Sequence, residues 1–201
     1  MTLKFLIGLA YNVKDFQILG GPRLLDSERY DIEATYAVNS PERRDRRLTF
    51  VTIQADPQVR LMLQTLLVDR FHLAIRHETK ELPAYSLSIA RNGPKLREST
   101  TPEDLQEMSV DLGQLKSNRM SMEQLAGVLS RLLGIPIVNK TGLTANYDLL
   151  LKWSPDEASA DTSAAPSIFT AIQESLGLRL VTGREAVDVL VIDHVERPTA
   201  N

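Results

Sequence analysis

This chain of 201 residues contains no cysteine. That removes disulfides, thiol nucleophiles and cysteine-ligated metals together. It leaves the compartment open, because many exported bacterial proteins also lack cysteine. Long apolar runs are missing too. The longest span only a few residues, so no transmembrane helix is expected. Phe5–Ala10 is apolar but has neither a basic leader nor a cleavage site, so it is not a signal peptide. A large excess of one charge is absent as well. The net charge is −3, with 15 Lys/Arg against 12 Asp/Glu in residues 1–100 and 8 against 14 in residues 101–201. Neither half has the strongly basic balance of a nucleic-acid binder. What remains is a chain 43% hydrophobic and 24% charged. That is a globular composition, long enough to bury a core without staples.

The most informative pattern is a block that occurs twice. The first copy runs Thr2–Ala10, Gly20-Gly21-Pro22, then Tyr30-Asp31-Ile32-Glu33-Ala34. The second runs Ser121–Leu129, Lys140-Thr141-Gly142-Leu143, then Tyr147-Asp148-Leu149-Leu150-Leu151. Each reads as a capped amphipathic helix, a glycine-bearing turn and a strand. Thr2 aligns with Ser121, Leu6 with Leu125 and Gly8 with Gly127. After a slip of two, Tyr30, Ile32, Ala34 and Tyr36 align with Tyr147, Leu149, Leu151 and Trp153. A duplication explains this. So does the general likeness of short helix–turn–strand units.

Local signals place the elements. Thr2 caps a helix whose Leu3, Leu6, Ile7 and Ala10 follow the spacing of one buried stripe. Asp56-Pro57 starts a second helix, with Val59, Met62, Leu63, Leu66 and Leu67 inward. Leu73 and Ile75, then Tyr85, Leu87 and Ile89, read as paired strands separated by Glu78–Pro83. Ser121-Met122-Glu123-Gln124 is a capping box, and Gly134 with Pro136 closes its helix. Ile137-Val138 and Tyr147–Trp153 are strands. Ser167 caps a last helix, with Ile168, Ala171 and Ile172 inward, that ends near Gly177. Leu178–Val181 and Val187–Ile192 are strands, the second apolar on both faces and therefore central. The fold class expected is α+β, a mainly antiparallel sheet or sheets with helices on one face, in possibly two similar helix–turn–strand subdomains. The division expected is an N-terminal α+β subdomain 1–98, a polar connection 99–120 and a C-terminal α+β subdomain 121–201 with a mobile loop 154–166; one compact domain is the alternative. Ser99–Lys116 is read as a polar surface excursion with a short helix.

Residues suited to chemistry are few. A histidine-only zinc site would need His72, His77 and His194 to converge. His72 and His77 lie five apart on an expected strand and so face opposite ways. His194 and Glu196 share a face, but two ligands are too few. Neither G-x-S-x-G nor S-x-x-K occurs, so no serine hydrolase is nominated. Asn139-Lys140-Thr141-Gly142 lacks the leading glycine of a phosphate loop and reads as a turn, as does Gly20-Gly21-Pro22. Arg43, Arg44, Arg46 and Arg47 are interrupted by Glu42 and Asp45 with no aromatic among them, the pattern of a solvated loop in Asn39–Arg47. Tyr11, Phe16, Tyr30, Tyr36 and Trp153 read as core or half-buried aromatics. Only Trp153, beside the loop, is a candidate for a binding surface.

Several stretches together resemble a known family. They include Leu6-Ile7-Gly8-Leu9-Ala10-Tyr11 with Gln17–Pro22, Arg29–Ala34, Leu66–Leu73, His77–Tyr85, Asn92–Leu96, Lys140–Leu143 with Tyr147-Asp148, and Val191–Pro198. The chain resembles the large acidobacterial family of exported proteins of unknown function, some fused to beta-lactam-sensor-type membrane metallopeptidases. The likeness spans almost the whole chain. It implies an extracytoplasmic location, periplasmic or secreted, and brings no catalytic residues. Members usually carry an export signal and then a strand of the Phe-Glu-Val-Ala-Ser-Val-Lys-Pro kind, and this sequence begins after that point. A truncated or re-annotated start, with a sheet edge missing its strand, is therefore expected. The repeated units are also loosely similar to the short N-terminal modules of secretins and outer-membrane receptors, an analogy of fold alone.

The function expected is a non-catalytic binding or protein-interaction module outside the cytoplasm. Its partner would be an envelope protein or peptide, met by strand addition at a free edge. No catalytic, cofactor-binding or metal-ligating residue is nominated, and no cofactor or nucleic acid is expected. A hydrolase using carboxylates or His77 with Glu78 is one alternative. A small-ligand carrier with an apolar cavity is another.

Overall fold

The computed structural model describes residues 1–30, 57–154 and 166–198. The expected strand beyond Tyr30, the arginine-bearing loop Asn39–Arg47, the cap Asp56 and loop positions 155–165 lie outside the described residues. Among the described residues the fold is α+β, as expected. It has five α-helices and two four-stranded sheets that are mostly antiparallel. The helices are α1 (Leu3–Tyr11), α2 (Leu24–Ser27), α3 (Pro57–Phe71), α4 (Met122–Leu133) and α5 (Ile168–Leu176). The strands are β1 (Ile18–Gly20), β2 (Ala74–Ile89), β3 (Arg97–Glu98), β4 (Met108–Asp111), β5 (Gln114–Ser121), β6 (Ile137–Asn139), β7 (Asn146–Lys152) and β8 (Leu178–His194). Strand order is β1-β8-β2-β6 in one sheet and β3-β7-β5-β4 in the other.

The longest strands depart from the sequence reading. β2 and β8 run unbroken for 16 and 17 residues where two pairs of short strands were expected. Their middles are polar, Glu78–Pro83 in β2 and Thr182–Ala186 in β8, and polar runs with proline or glycine look like turns. Pro83 is tolerated because β6 begins to pair with β2 only at Tyr85. β8 is flanked by β1 and β2, so its doubly apolar Val189–Ile192 is central, as expected. Each long strand thus has an apolar stretch on either side of a polar one. Two cores follow, and the chain divides into two compact units, Met1–Lys80 with Ala186–Asn201 and Glu81–Glu185.

In the first unit, Thr2 Oγ1 accepts from the Phe5 N–H at 3.3 Å and starts α1. Leu3, Leu6, Ile7, Leu9 and Ala10 are buried against Val59, Leu63, Leu67 and Phe71 of α3 and Leu190 and Ile192 of β8. Each of these side chains larger than alanine contributes about 1.5–3 kcal/mol on burial. Gln64 of α3 donates to the Ala10 carbonyl at 2.8 Å and holds the two helices together. β1 lies parallel to β8, with Ile18 opposite Leu190. Gly21 in the expected turn has φ +81°, and a Cβ there would meet Leu25 Cδ1 at 2.5 Å and Ile192 Cβ at 3.3 Å. Only glycine fits both demands.

In the second unit, Ser121 accepts from the Gln124 N–H at 3.1 Å and Gln124 Oε1 accepts from the Ser121 N–H at 2.9 Å, the expected capping box. α4 buries Met122, Leu125, Ala126, Val128 and Leu129 against β5, β7 and α5 in a core that also takes in Trp153. Gly134 ends α4 at φ +66°. Ser167 caps α5 as expected, accepting from the Thr170 N–H at 3.3 Å, and Gly177 ends it at φ +64°. The segment read as a polar surface excursion with a short helix has that helix as a 3-10 turn at Glu103–Leu105, and adds a hairpin that was not expected. β4 pairs antiparallel with β5, and β5 pairs antiparallel with β7. Two things hide β5 from a period-two reading: Ser117 is a buried polar residue, and the pairing slips between Ser117 and Met120.

Corresponding elements of the two units match in register. The five buried positions of α1 map onto five of the six in α4 at an offset of 119 (Leu3 to Met122, Ala10 to Leu129). The three-residue strands that follow keep that offset (Ile18 to Ile137). An offset of 105 carries Leu73 to Leu178 and His72, at φ 49°, to Gly177. β6 runs parallel to β2 with Ile137 opposite Tyr85, and that offset carries Tyr85 to Leu190, the partner of Ile18.

Candidate interaction site

The histidines divide in a way the sequence did not predict. His72 is not on a strand but follows α3, in the left-handed region. The Glu196 N–H donates to the Phe71 carbonyl at 2.8 Å, which brings Glu196 beside it. Glu196 Oε1 then lies 2.8 Å from His194 Nε2, and Oε2 lies 3.6 Å from His72 Nδ1. His77 stands apart on β2. His72, His194 and Glu196 are more than half exposed, and no group of described residues has the arrangement of a metal site. This is an exposed cluster of two imidazoles around one carboxylate.

The carboxylate named for hydrolysis is committed elsewhere. Glu78 is held by Arg76 at 2.6 Å and Lys80 at 3.1 Å. The hydrogen bond from Arg76, then that from Lys80, keeps its carboxyl below the usual carboxylate range. A general base working near neutrality needs the opposite shift. Arg76 also pairs with Asp193.

Asn139-Lys140-Thr141-Gly142 is a turn, as read. Asn139 Oδ1 accepts from the Thr141 N–H at 3.0 Å and from its hydroxyl at 2.8 Å. Lys140 is taken by Glu185 at 2.6 Å, and Glu185 also accepts from the Ser86 hydroxyl at 2.6 Å. Trp153 corrects the sequence reading. It is 9% exposed and belongs to the core of its unit, so it offers no binding surface.

The exposed feature is β4, which sequence reasoning missed. It is the last strand of its sheet, with β5 on one side and no described strand on the other. All four of its residues are exposed. Along Leu105–Leu112 four large apolar side chains face water: Leu105, Met108, Val110 and Leu112, the last 90% exposed. The strand is nevertheless firmly seated. Glu107 accepts from the Ser117 hydroxyl at 2.9 Å and donates its N–H to Asn118 Oδ1 at 2.7 Å, and Asn118 also reaches the Leu105 carbonyl at 3.0 Å. An edge strand turns half of its backbone N–H and C=O groups outward. The usable signal was Met108 and Val110 alternating with Ser109 and Asp111 ahead of Gly113, which turns at φ +79°.

A family model described as a protein of unknown function (DUF3738) matches residues 4–195. The chain belongs to that family. No curated protein and no solved structure matches it. Family membership therefore assigns no reaction. No described helix is long and apolar enough to cross a membrane.

Proposed function

We propose that this chain is a non-catalytic protein-interaction module, acting outside the cytoplasm, that takes an extended segment of an envelope protein or peptide along the free edge of β4. The observation that carries the reading is the exposed pair Met108 and Val110 on a seated edge strand, with Leu105 and Leu112 exposed in the turns before and after it. Natural edges are usually blunted by lysine, proline or a covering element. This one presents apolar side chains beside outward backbone groups, the combination used in strand addition. The extracytoplasmic location follows the family resemblance of the sequence.

Register matching between the units supports the reading indirectly. We infer that the chain holds two copies of one helix–strand unit, at offsets of 119 and 105. The segment 97–112 lies between the copies and has no counterpart among the matched elements, so the repeated architecture does not require it.

The test is capture from an envelope extract by the whole chain and by a Met108→Lys, Val110→Lys variant. Both side chains are exposed, so the variant should fold as the parent does, with the same melting temperature. The expected result is a companion recovered in every repeat by the parent and not by the variant. Equal recovery by both, or none by either, refutes the proposal.

A further inference from the structure

The end of α5 meets the turn Ala90–Lys95 in the second unit. The Lys95 N–H donates to the Leu176 carbonyl at 2.8 Å, and the Ala90 N–H to the Gly177 carbonyl at 2.9 Å. Beside this junction is a cleft of about 490 Å³, the size of a small-molecule site. Arg91, Asn92, Lys95, Gln173, Glu174 and Arg179 line it. Three cations thus stand against one carboxylate.

Cations often gather at a helix C-terminus to meet its free carbonyls. Here the carbonyls of Ile172, Gln173, Glu174, Leu176 and Gly177 already have donors. The Gly177 N–H bonds to the Gln173 and Ile172 carbonyls, and Lys95 Nζ donates to the Glu174 carbonyl at 2.9 Å. Among the described residues, the side chains of Arg91 and Arg179 have no hydrogen-bond or ion-pair partner, nor do those of Asn92 and Gln173. The first unit provides a control. At the offset of 105, Glu196 stands where Arg91 does and Ala74 where Arg179 does. The same helix-to-strand corner is built there without either arginine.

We infer that this cleft binds a small organic anion whose carboxylate or phosphate oxygens are gripped by the guanidinium groups of Arg91 and Arg179. Guanidinium presents paired donors that match such oxygens in a fixed plane. The amides of Asn92 and Gln173 meet the neutral polar part of the ligand. Glu174 accepts from a hydroxyl or amine on it.

The experiment is calorimetric titration of the full chain with two probes, citrate and inorganic pyrophosphate, at physiological salt. One-to-one saturable binding of either is expected, the tighter probe naming the anion class. Arg91→Gln with Arg179→Gln should weaken it by at least about tenfold, the loss expected for charge-assisted hydrogen bonds. The melting temperature should stay that of the parent. Arg184→Gln serves as the charge control; this exposed arginine lies outside the cleft and donates to the Glu81 carbonyl at 2.7 Å. It should leave binding unchanged. Saturation by neither probe, or equal weakening by Arg184→Gln, overturns the inference.

Discussion

The helix after Thr2 buries five positions, the helix after Ser121 buries the same five and Ser130 besides, and both lead into parallel strands at the same spacing. The units differ elsewhere. Among the described residues, only the second carries an exposed hairpin edge like β4, and only the second places unpartnered arginines at the helix-to-strand corner. Even matched residues differ in purpose. A Cβ on Gly8 would meet the Val13 carbonyl oxygen at 3.1 Å, whereas one on Gly127 would meet nothing within 4 Å. Features common to both units are those the architecture requires. Features present in one unit alone are those on which the proposed partner and anion sites are built.

The sharpest way to break this comparison is in the cores. Leu6→Ala and Leu125→Ala remove equivalent side chains, 2% and 0% exposed. Each should cost about 2–5 kcal/mol. Chemical denaturation followed by circular dichroism measures both; a severe loss at one site and almost none at the other would end the equivalence.

The left-handed corners sharpen it further. Gly177→Ala sets a Cβ 2.8 Å from the Lys95 nitrogen and 3.0 Å from Pro94 Cα at φ +64°. About 3 kcal/mol should be lost. His72→Gly at the matching position relaxes a non-glycine residue at φ 49° and should fall within about 1 kcal/mol of the parent. The two denaturation midpoints decide it, and a neutral Gly177→Ala is the contrary result.

The smallest effect is the pH dependence carried by Glu185 in the second unit. The hydrogen bond from Lys140, then that from Ser86, holds the Glu185 carboxyl below its usual range. Its folded pKa is lower than its unfolded one, so the unfolded chain binds more protons between the two values. The stabilisation is complete above the unfolded pKa and disappears as pH falls through the folded one. Lys140→Met should flatten that part of the stability–pH curve below about pH 4.5. An unchanged curve would mean that the pair contributes nothing in solution.

Local features were the legible ones. Thr2, Ser121 and Ser167 cap within three residues of themselves, and Gly134 and Gly177 end helices through their own backbone freedom, so short stretches of sequence suffice. Continuity of β2 and β8 was not legible, because their polar middles imitate turns and only the neighbouring strands reveal otherwise. β1 and β6 have three residues each, enough to pair but hardly enough to make a pattern; Ile137-Val138 was visible only because Pro136 precedes it. The candidate sites were the least legible part. β4 shows a single alternation, and β5 is disguised by Ser117 and a bulge. Glu196 reaches His72 through a backbone hydrogen bond between distant segments, and Arg91 and Arg179 line one cleft only once α5 has docked. Such juxtapositions depend on tertiary packing that no local spacing records.

The central claim is that function resides in what the units do not share. Amide hydrogen exchange of the full chain, alone and with its captured companion, tests it most directly. New protection concentrated over Met108–Asp111, with α1 and α4 unchanged, is the result predicted. Protection spread over those matched helices, with the β4 amides still exchanging freely, would contradict it.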